Sequence, residues 1–243
     1  MKAMILAAGL GSRLHPLTAT CPKPLLDVGG QPMIAFPLAL IRAVGITEVA
    51  INLHHLGERI RQALRKGENY GVRVTYFDEP RLLDTGGGIA NARGFLEGDD
   101  FVVLNADTMT DLPLADMVSF HRRQGALATM FLRSDPEVER YGAIEIDDSL
   151  GIRRVLGRPA TVASRLQRFM FGGVHVFSSR VFEYMPPGVY SIIRDTYPQL
   201  LEAGETLAGY VFEGYWQLLD TPGGLAAGRA AVAERRARSQ SST

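Results

Sequence analysis

Apolar residues recur along this chain in two rhythms. Short, nearly continuous apolar runs at 2–6, 48–53, 72–77 and 101–104 read as buried strands, each closed by Gly, Pro or polar residues. Between them, residues 33–44 are apolar-rich and stop at Gly45. Residues 56–66 place Leu56, Ile60 and Leu64 four apart, with charges elsewhere. Both stretches read as helices. Residues 86–96 open glycine-rich and turn helical, and a helix near 114–123 precedes a strand near 128–132. Strands alternating with helices predict an α/β fold: a mostly parallel, mixed sheet with right-handed crossovers and helices on both faces.

After Arg140 the rhythm shortens. Residues 142–146, 152–156 and 169–177 read as strands of a small second β subregion. Helices are predicted near 181–184 and 192–203, and a strand near 208–212. Thr221-Pro222 begins a last helix, with Thr at the N-cap and Pro in the first turn. The pattern predicts one domain over 1–234, with halves at 1–133 and 134–234. A basic, then Ser-rich, segment at 235–243 is expected to be a flexible tail.

Lys plus Arg and Asp plus Glu number 26 each, so the net charge is zero. No broad field is available to hold nucleic acid or an anionic membrane, and any anion must be gripped locally. The one cysteine, Cys21, excludes an internal disulfide and a thiolate zinc site. The five histidines show no metal-ligand spacing. No apolar run reaches the ~20 residues that span a bilayer, and the first residues lack the apolar core of a signal peptide. A cytoplasmic protein without nucleic-acid or membrane partners is expected, with monomer and dimer both open.

Open α/β sheets bind ligands beyond the carboxyl ends of their strands. The two most unusual segments, 7–23 and 105–107, fall at that edge. The first reads Leu6-Ala7-Ala8-Gly9-Leu10-Gly11-Ser12-Arg13-Leu14, followed by Pro22-Lys23-Pro24. A glycine-rich turn after a first strand exposes backbone N–H groups that can wrap phosphates. The third glycine of a dinucleotide fingerprint is missing, and so is the Gly-Lys-Ser/Thr ending of a P-loop. Arg13 within the turn and Lys23 ten residues on suit a triphosphate attacked at its α-phosphorus. Asp107, at a strand's carboxyl end, offers the hard oxygen that Mg²⁺ prefers.

Residues 5–25 resemble the signature of the sugar nucleotidyltransferases, and the likeness extends along nearly the whole chain. Asp84-Thr85-Gly86-Gly87-Gly88 resembles that family's second glycine-rich segment, and Asn105-Ala106-Asp107 its metal-binding strand end. Tyr141-Gly142, Gly157-Arg158-Pro159 and Phe171-Gly172-Gly173-Val174 resemble motifs on the acceptor side. Gly214-Tyr215-Trp216 with Thr221-Pro222 resembles the closing motif. The resemblance implies a Rossmann-like fold and a Mg²⁺-dependent transfer from a nucleoside triphosphate to a phosphorylated small molecule. The expected acceptor is a sugar 1-phosphate, and UTP or GTP the expected donor. It implies catalytic roles for Arg13, Lys23 and Asp107, with Asp107 on the metal. Nucleotide contacts are implied at Leu6, Ala8, Gly9, Gly11, Ser12, Arg13, Lys23, Thr85, Gly86 and Gly87. Acceptor contacts are implied at Asn105, Gly142, Arg158 and Gly173.

Two departures bear on function. Arg158 stands where relatives carry a phosphate-binding Lys, and Leu218 where they carry a second metal carboxylate. Continuing a strand through 218–220 would put Asp220 too far along to replace that carboxylate. Asp220 is therefore expected to help cap the last helix, leaving Asp107 alone on the metal. A phosphocholine cytidylyltransferase, or a non-catalytic paralogue that binds a nucleotide sugar, are the alternatives. The end of the sequence soon after the closing helix predicts no appended β-helix domain.

Overall fold

The structure is a computed structural model that describes residues 1–161 and 165–241. The first half runs β1 (Lys2–Leu6), α1 (Ala35–Ala43), β2 (Glu48–Leu53), α2 (Gly57–Leu64), β3 (Arg73–Asp78), α3 (Asp84–Asn91), α4 (Arg93–Leu96) and β4 (Phe101–Asn105). It continues through β5 (Thr108–Thr110), α5 (Leu114–Gln124) and β6 (Ala128–Arg133). The second half adds α6 (Val138–Tyr141), β7 (Ala143–Ile146), β8 (Ile152–Val155), β9 (Gln167–Phe177), α7 (Tyr197–Glu202), β10 (Leu207–Val211), β11 (Trp216–Leu218) and α8 (Pro222–Ser241).

The main sheet has the order β10-β6-β9-β4-β1-β2-β3, with β7 joined to β9 and β8 to β7. β4, β1, β2 and β3 are parallel neighbours, whereas β9 runs antiparallel to both β4 and β6. The α/β architecture with a mixed sheet is therefore the one the hydrophobic pattern predicted. The strands of the first half read as continuous apolar runs because both faces are covered. Met4, Ala50 and Val103 enter the core on one face, and Ala3, Ile5, Ile51, Val102 and Leu104 the core on the other. That alternation is the two-residue period of a strand.

Three stretches differ from the sequence reading. The helix predicted over 192–203 opens with a wide π-type turn, Ile192–Thr196, before α7. Pro198 sits in the first turn of α7, where a missing N–H costs nothing. A separate two-stranded ladder pairs β11 with β5, a strand the sequence pattern left unassigned. The last helix also runs on to Ser241, where a flexible tail was expected from Arg235. Arg235 pairs with both oxygens of Asp111 at 2.9 Å and lies 4.5 Å over the Tyr215 ring. Those contacts anchor the segment that its Arg and Ser content made look loose. Residues 242–243 of that tail lie outside the described residues.

Candidate functional site

β1 leads directly into the glycine loop at the carboxyl edge of the sheet. Gly11 takes φ +65°, and a Cβ there would stand 2.8 Å from the Thr18 side chain and 3.0 Å from that of Lys23. Only glycine combines that backbone with so close an approach. The loop is tied to the second glycine-rich segment by a buried relay. The Ala7 N–H donates to Asn52 Oδ1 at 2.7 Å, Asn52 Nδ2 donates to Glu79 Oε1 at 2.7 Å, and the Leu83 N–H donates to Glu79 Oε2 at 2.9 Å. Glu79 is buried, and both of its carboxyl oxygens are met by these donors. A Cβ at Gly88 would come 2.8 Å from both Asn52 Nδ2 and Glu79 Oε1, so the glycine there makes room for the relay. Sequence reasoning missed Asn52 and Glu79, because nothing in a one-dimensional pattern marks a polar residue at the end of an apolar strand as a brace.

Three adjoining cavities open at this edge. The largest, about 290 Å³, is lined by Leu6, Ala7, Ala8, Gly9, Gly11, Lys23, Asn52, Asp84, Thr85, Asn105 and Asp107, among others. A polar cavity of about 190 Å³ is lined by Gly11, Ser12, Arg13, Lys23, Asp107 and Asp220. A third, of about 180 Å³, shares Asn105 and extends past Thr108, Tyr141, Gly142, Phe171, Gly172, Gly173, Ile193, Trp216 and Leu218. The structure thus gathers most of the site residues expected from sequence. Gly86 and Gly87 lie beneath the first cavity instead of lining it. Gly86 packs under the Tyr190 ring and Gly87 against the Gly188 backbone, with no space for a side chain. Arg158 sits on an exposed turn after β8 and lines none of the three.

The polar cavity holds two cation–carboxylate pairs, Lys23 Nζ with Asp107 and Arg13 Nη1 with Asp220. Asp220 is the main correction to the sequence reading. β11 ends at Leu218, the Leu219 N–H donates to the Asp107 carbonyl at 2.9 Å, and the Leu219 side chain is drawn into a core with Leu14, Val28, Met109 and Leu225. That turn breaks the strand's alternation and swings Asp220 toward Arg13. Helix α8 is capped by Thr221, whose Oγ1 accepts the Gly224 N–H at 3.1 Å. Leu218 pairs with Thr108 across the β5–β11 ladder and lines the third cavity. The carboxylate missing at position 218 is therefore matched by one two residues later that reaches the same polar pocket as Asp107. Two carboxylates beside a glycine loop are a donor set that fits Mg²⁺.

Other candidates have structural roles. His54 Nδ1 bonds the Glu79 carbonyl at 2.8 Å, and His55 Nε2 the Thr18 carbonyl at 3.2 Å. Burial pushes the Cys21 thiol up, with Arg59 opposing, so the group is a weak nucleophile.

A parallel-stranded edge carrying a glycine loop, with a second cavity beside it, defines an α/β protein with room for two ligands at that edge. The chain belongs to the nucleotidyl transferase family, whose profile matches residues 2–227. It is 35% identical over 218 residues to a UTP–glucose-1-phosphate uridylyltransferase of Synechocystis, covering 84% of this chain and 56% of that protein. It is 34% identical over 229 residues to a mannose-1-phosphate guanyltransferase of Schizosaccharomyces pombe, covering 91% and 61%. The chain therefore spans about six-tenths of the length of these relatives. A crystal structure of a candidate glucose-1-phosphate thymidylyltransferase from Bacillus anthracis superposes with a TM-score of 0.82. It is 27% identical and covers 95% of this chain and 94% of that one. Among the described residues, no helix is long and apolar enough to cross a membrane.

Proposed function

We propose that this protein transfers a nucleoside monophosphate from a nucleoside triphosphate to a sugar 1-phosphate, releasing pyrophosphate. The observation that carries the reading is the polar cavity, where Lys23–Asp107 and Arg13–Asp220 adjoin a nucleotide-sized cavity that meets an acceptor-sized one at Asn105. An acceptor phosphate oxygen forms a bond to the α-phosphorus, and the bond from that phosphorus to the bridging oxygen of the β-phosphate breaks in line. No covalent enzyme intermediate is required, so positioning and charge neutralisation carry the rate. The loop backbone wraps the phosphates, Lys23 meets charge growing at the α-phosphorus, and Arg13 holds the departing pyrophosphate. Mg²⁺ held by Asp107 and Asp220 would supply Lewis-acid neutralisation of phosphate oxygens. Without ligands, each carboxylate is matched by its own cation, and both cations are free to turn to phosphate once the metal is held. UTP and GTP are the favoured donors, because the relatives are named for uridylyl and guanylyl transfer. Pyrophosphate release measured for four triphosphates against a panel of sugar 1-phosphates and phosphocholine tests the reading. Tight nucleotide-sugar binding with no turnover for any pair would favour a sensor in place of an enzyme.

A further inference from the structure

Arg133 carries a cost that the fold itself does not explain. It ends β6 and pairs in register with Met170 of β9, a residue that lines the third cavity. Arg133 itself lines none of the three cavities. Its Nε and Nη1 are buried and meet no hydrogen-bond partner among the described residues. Guanidinium donors hidden from water in this way lower stability. A carboxylate close in the chain fold, that of Glu213, is spent on backbone: its Oε1 accepts the Ser134 N–H at 2.9 Å. What the guanidinium has instead is the face of Trp216, with its central carbon 4.8 Å from the ring centroid. A cation over an indole face is attracted by the ring's quadrupole, most strongly where water is excluded.

Trp216 is where that attraction can act on the chemistry. The residue lines the third cavity together with Gly172, and its indole N–H donates to the Gly172 carbonyl at 2.9 Å. The β5–β11 ladder fixes its backbone opposite Thr110. The hydrogen bond holds one edge of the ring, and a charge on the face resists tilting about that edge. Resting on the transferase reading above, we propose that Arg133 is a positioning residue for the acceptor. It holds the Trp216 ring as a fixed wall of the acceptor cavity and sets acceptor affinity without touching the acceptor. A wall ordered before the ligand arrives spares the cost of ordering it on binding. Stability given up at Arg133 is thereby converted into acceptor affinity, a trade expected beside a site and not in a plain core.

Trp216 is the chain's single tryptophan, so tryptophan emission reports this ring alone. Glucose 1-phosphate and mannose 1-phosphate are the probes. Each is titrated into protein saturated with a non-hydrolysable triphosphate, and assayed separately by pyrophosphate release with the ordinary one. At least one should perturb the emission and turn over. Arg133→Met, similar in length and uncharged, should weaken that probe's affinity and raise its KM at least about fivefold, with kcat and triphosphate KM within about twofold of wild type. Arg133→Lys keeps a cation for the ring and should return acceptor KM to within about twofold. Arg133→Met should also melt no lower than wild type, since it removes buried donors that lack partners. An arginine of purely structural use would show the opposite, a lower melting temperature with acceptor KM unmoved, and that result overturns the proposal. In a Trp216→Leu background, Arg133→Met should change acceptor KM no further, and a full loss persisting without the indole refutes action through the ring. Should Trp216→Leu fold poorly, Trp216→Phe offers the cation a weaker face and should shrink the Arg133→Met effect by about half. The two readings fail separately. Emission changes that weaken in Arg133→Met without any turnover would sink the transferase reading alone, and turnover indifferent to Arg133 would sink the positioning role alone.

Discussion

At the scale of single residues, the site is two ion pairs with different exposures, and the difference predicts different losses. The Lys23 side chain is 15% exposed and wedged beside Asp107, whereas that of Arg13 is 71% exposed and reaches Asp220 from outside. On the proposed mechanism, Lys23 would meet charge that appears only in the transition state, and Arg13 would grip a triphosphate tail already charged in the ground state. Lys23→Ala should lower kcat a hundredfold or more with little change in triphosphate affinity, while Arg13→Ala should raise triphosphate KM at least as much as it lowers kcat. Small, equal effects on kcat would refute that division. The carboxylates are expected to act together on the metal. Asp107→Asn should cost about two orders of magnitude in rate, near 2.7 kcal/mol of barrier. Asp220→Asn should raise the Mg²⁺ concentration needed for half-maximal rate several-fold. A wild-type Mg²⁺ titration in Asp220→Asn would return Asp107 to being the lone protein ligand.

At the scale of elements, helix α8 separates a structural from a functional role for adjacent residues. Thr221 caps the helix through the Gly224 N–H, and Asp220 points away to Arg13. Thr221→Ala should lower unfolding free energy by about 1 kcal/mol, the usual cost of a lost N-cap. Chemical denaturation measures that loss, and the Mg²⁺ titration should stay unchanged. A shifted Mg²⁺ requirement in Thr221→Ala would show that cap and metal site are not separable. The same short segment shows where sequence reading succeeds and where it stops. Thr221-Pro222 announced the helix start, because capping chemistry is local. The placement of Asp220 depends on Leu219 being pulled into a core built from Leu14, Val28 and Met109, residues more than a hundred positions away. A strand's alternation cannot foresee a turn forced by distant packing. The glycine loop, Lys23 and Asp107 were legible because each sits at a strand end or tight turn with its own sequence signature. The Asn52–Glu79 relay was not, since its meaning lies in the Ala7 N–H and in the room left by Gly88. Arg158 was read from the position of a motif, and the exposed turn that carries it puts it in the lining of none of the three cavities.

At the scale of the whole molecule, β9 pairs with strands of both halves, and a buried histidine lies near its carboxyl end. His175 pairs in register with Val103 of β4 on one side and Met130 of β6 on the other. Its ring stacks with Phe171, Phe177 and Tyr197, and its Nδ1 lies 2.8 Å from the Tyr197 hydroxyl. Burial pushes its pKa down from 6.5 to about 3. Burial also lowers that of His121, with Asp100 opposing and Arg122 assisting, where Nδ1 meets Thr129 Oγ1 at 2.8 Å. The folded state keeps both rings neutral at a pH where the unfolded chain takes up protons. The stability they permit is complete above pH 6.5 and falls as pH drops below it, by up to about 1.4 kcal/mol per pH unit for each ring. From pH 7 to pH 5, above the range in which most carboxylates titrate, His175 alone should cost the fold about 2 kcal/mol. His175→Phe keeps a ring in the stack and removes the proton. It should lose some stability at every pH, because the Tyr197 hydroxyl is left unpaired, yet show a shallower fall between pH 7 and pH 5. Urea denaturation at the two pH values reads the slope directly. A variant as pH-sensitive as the wild type would place the acid-labile group elsewhere. A flattened profile would identify His175 as the group through which acid destabilises the fold.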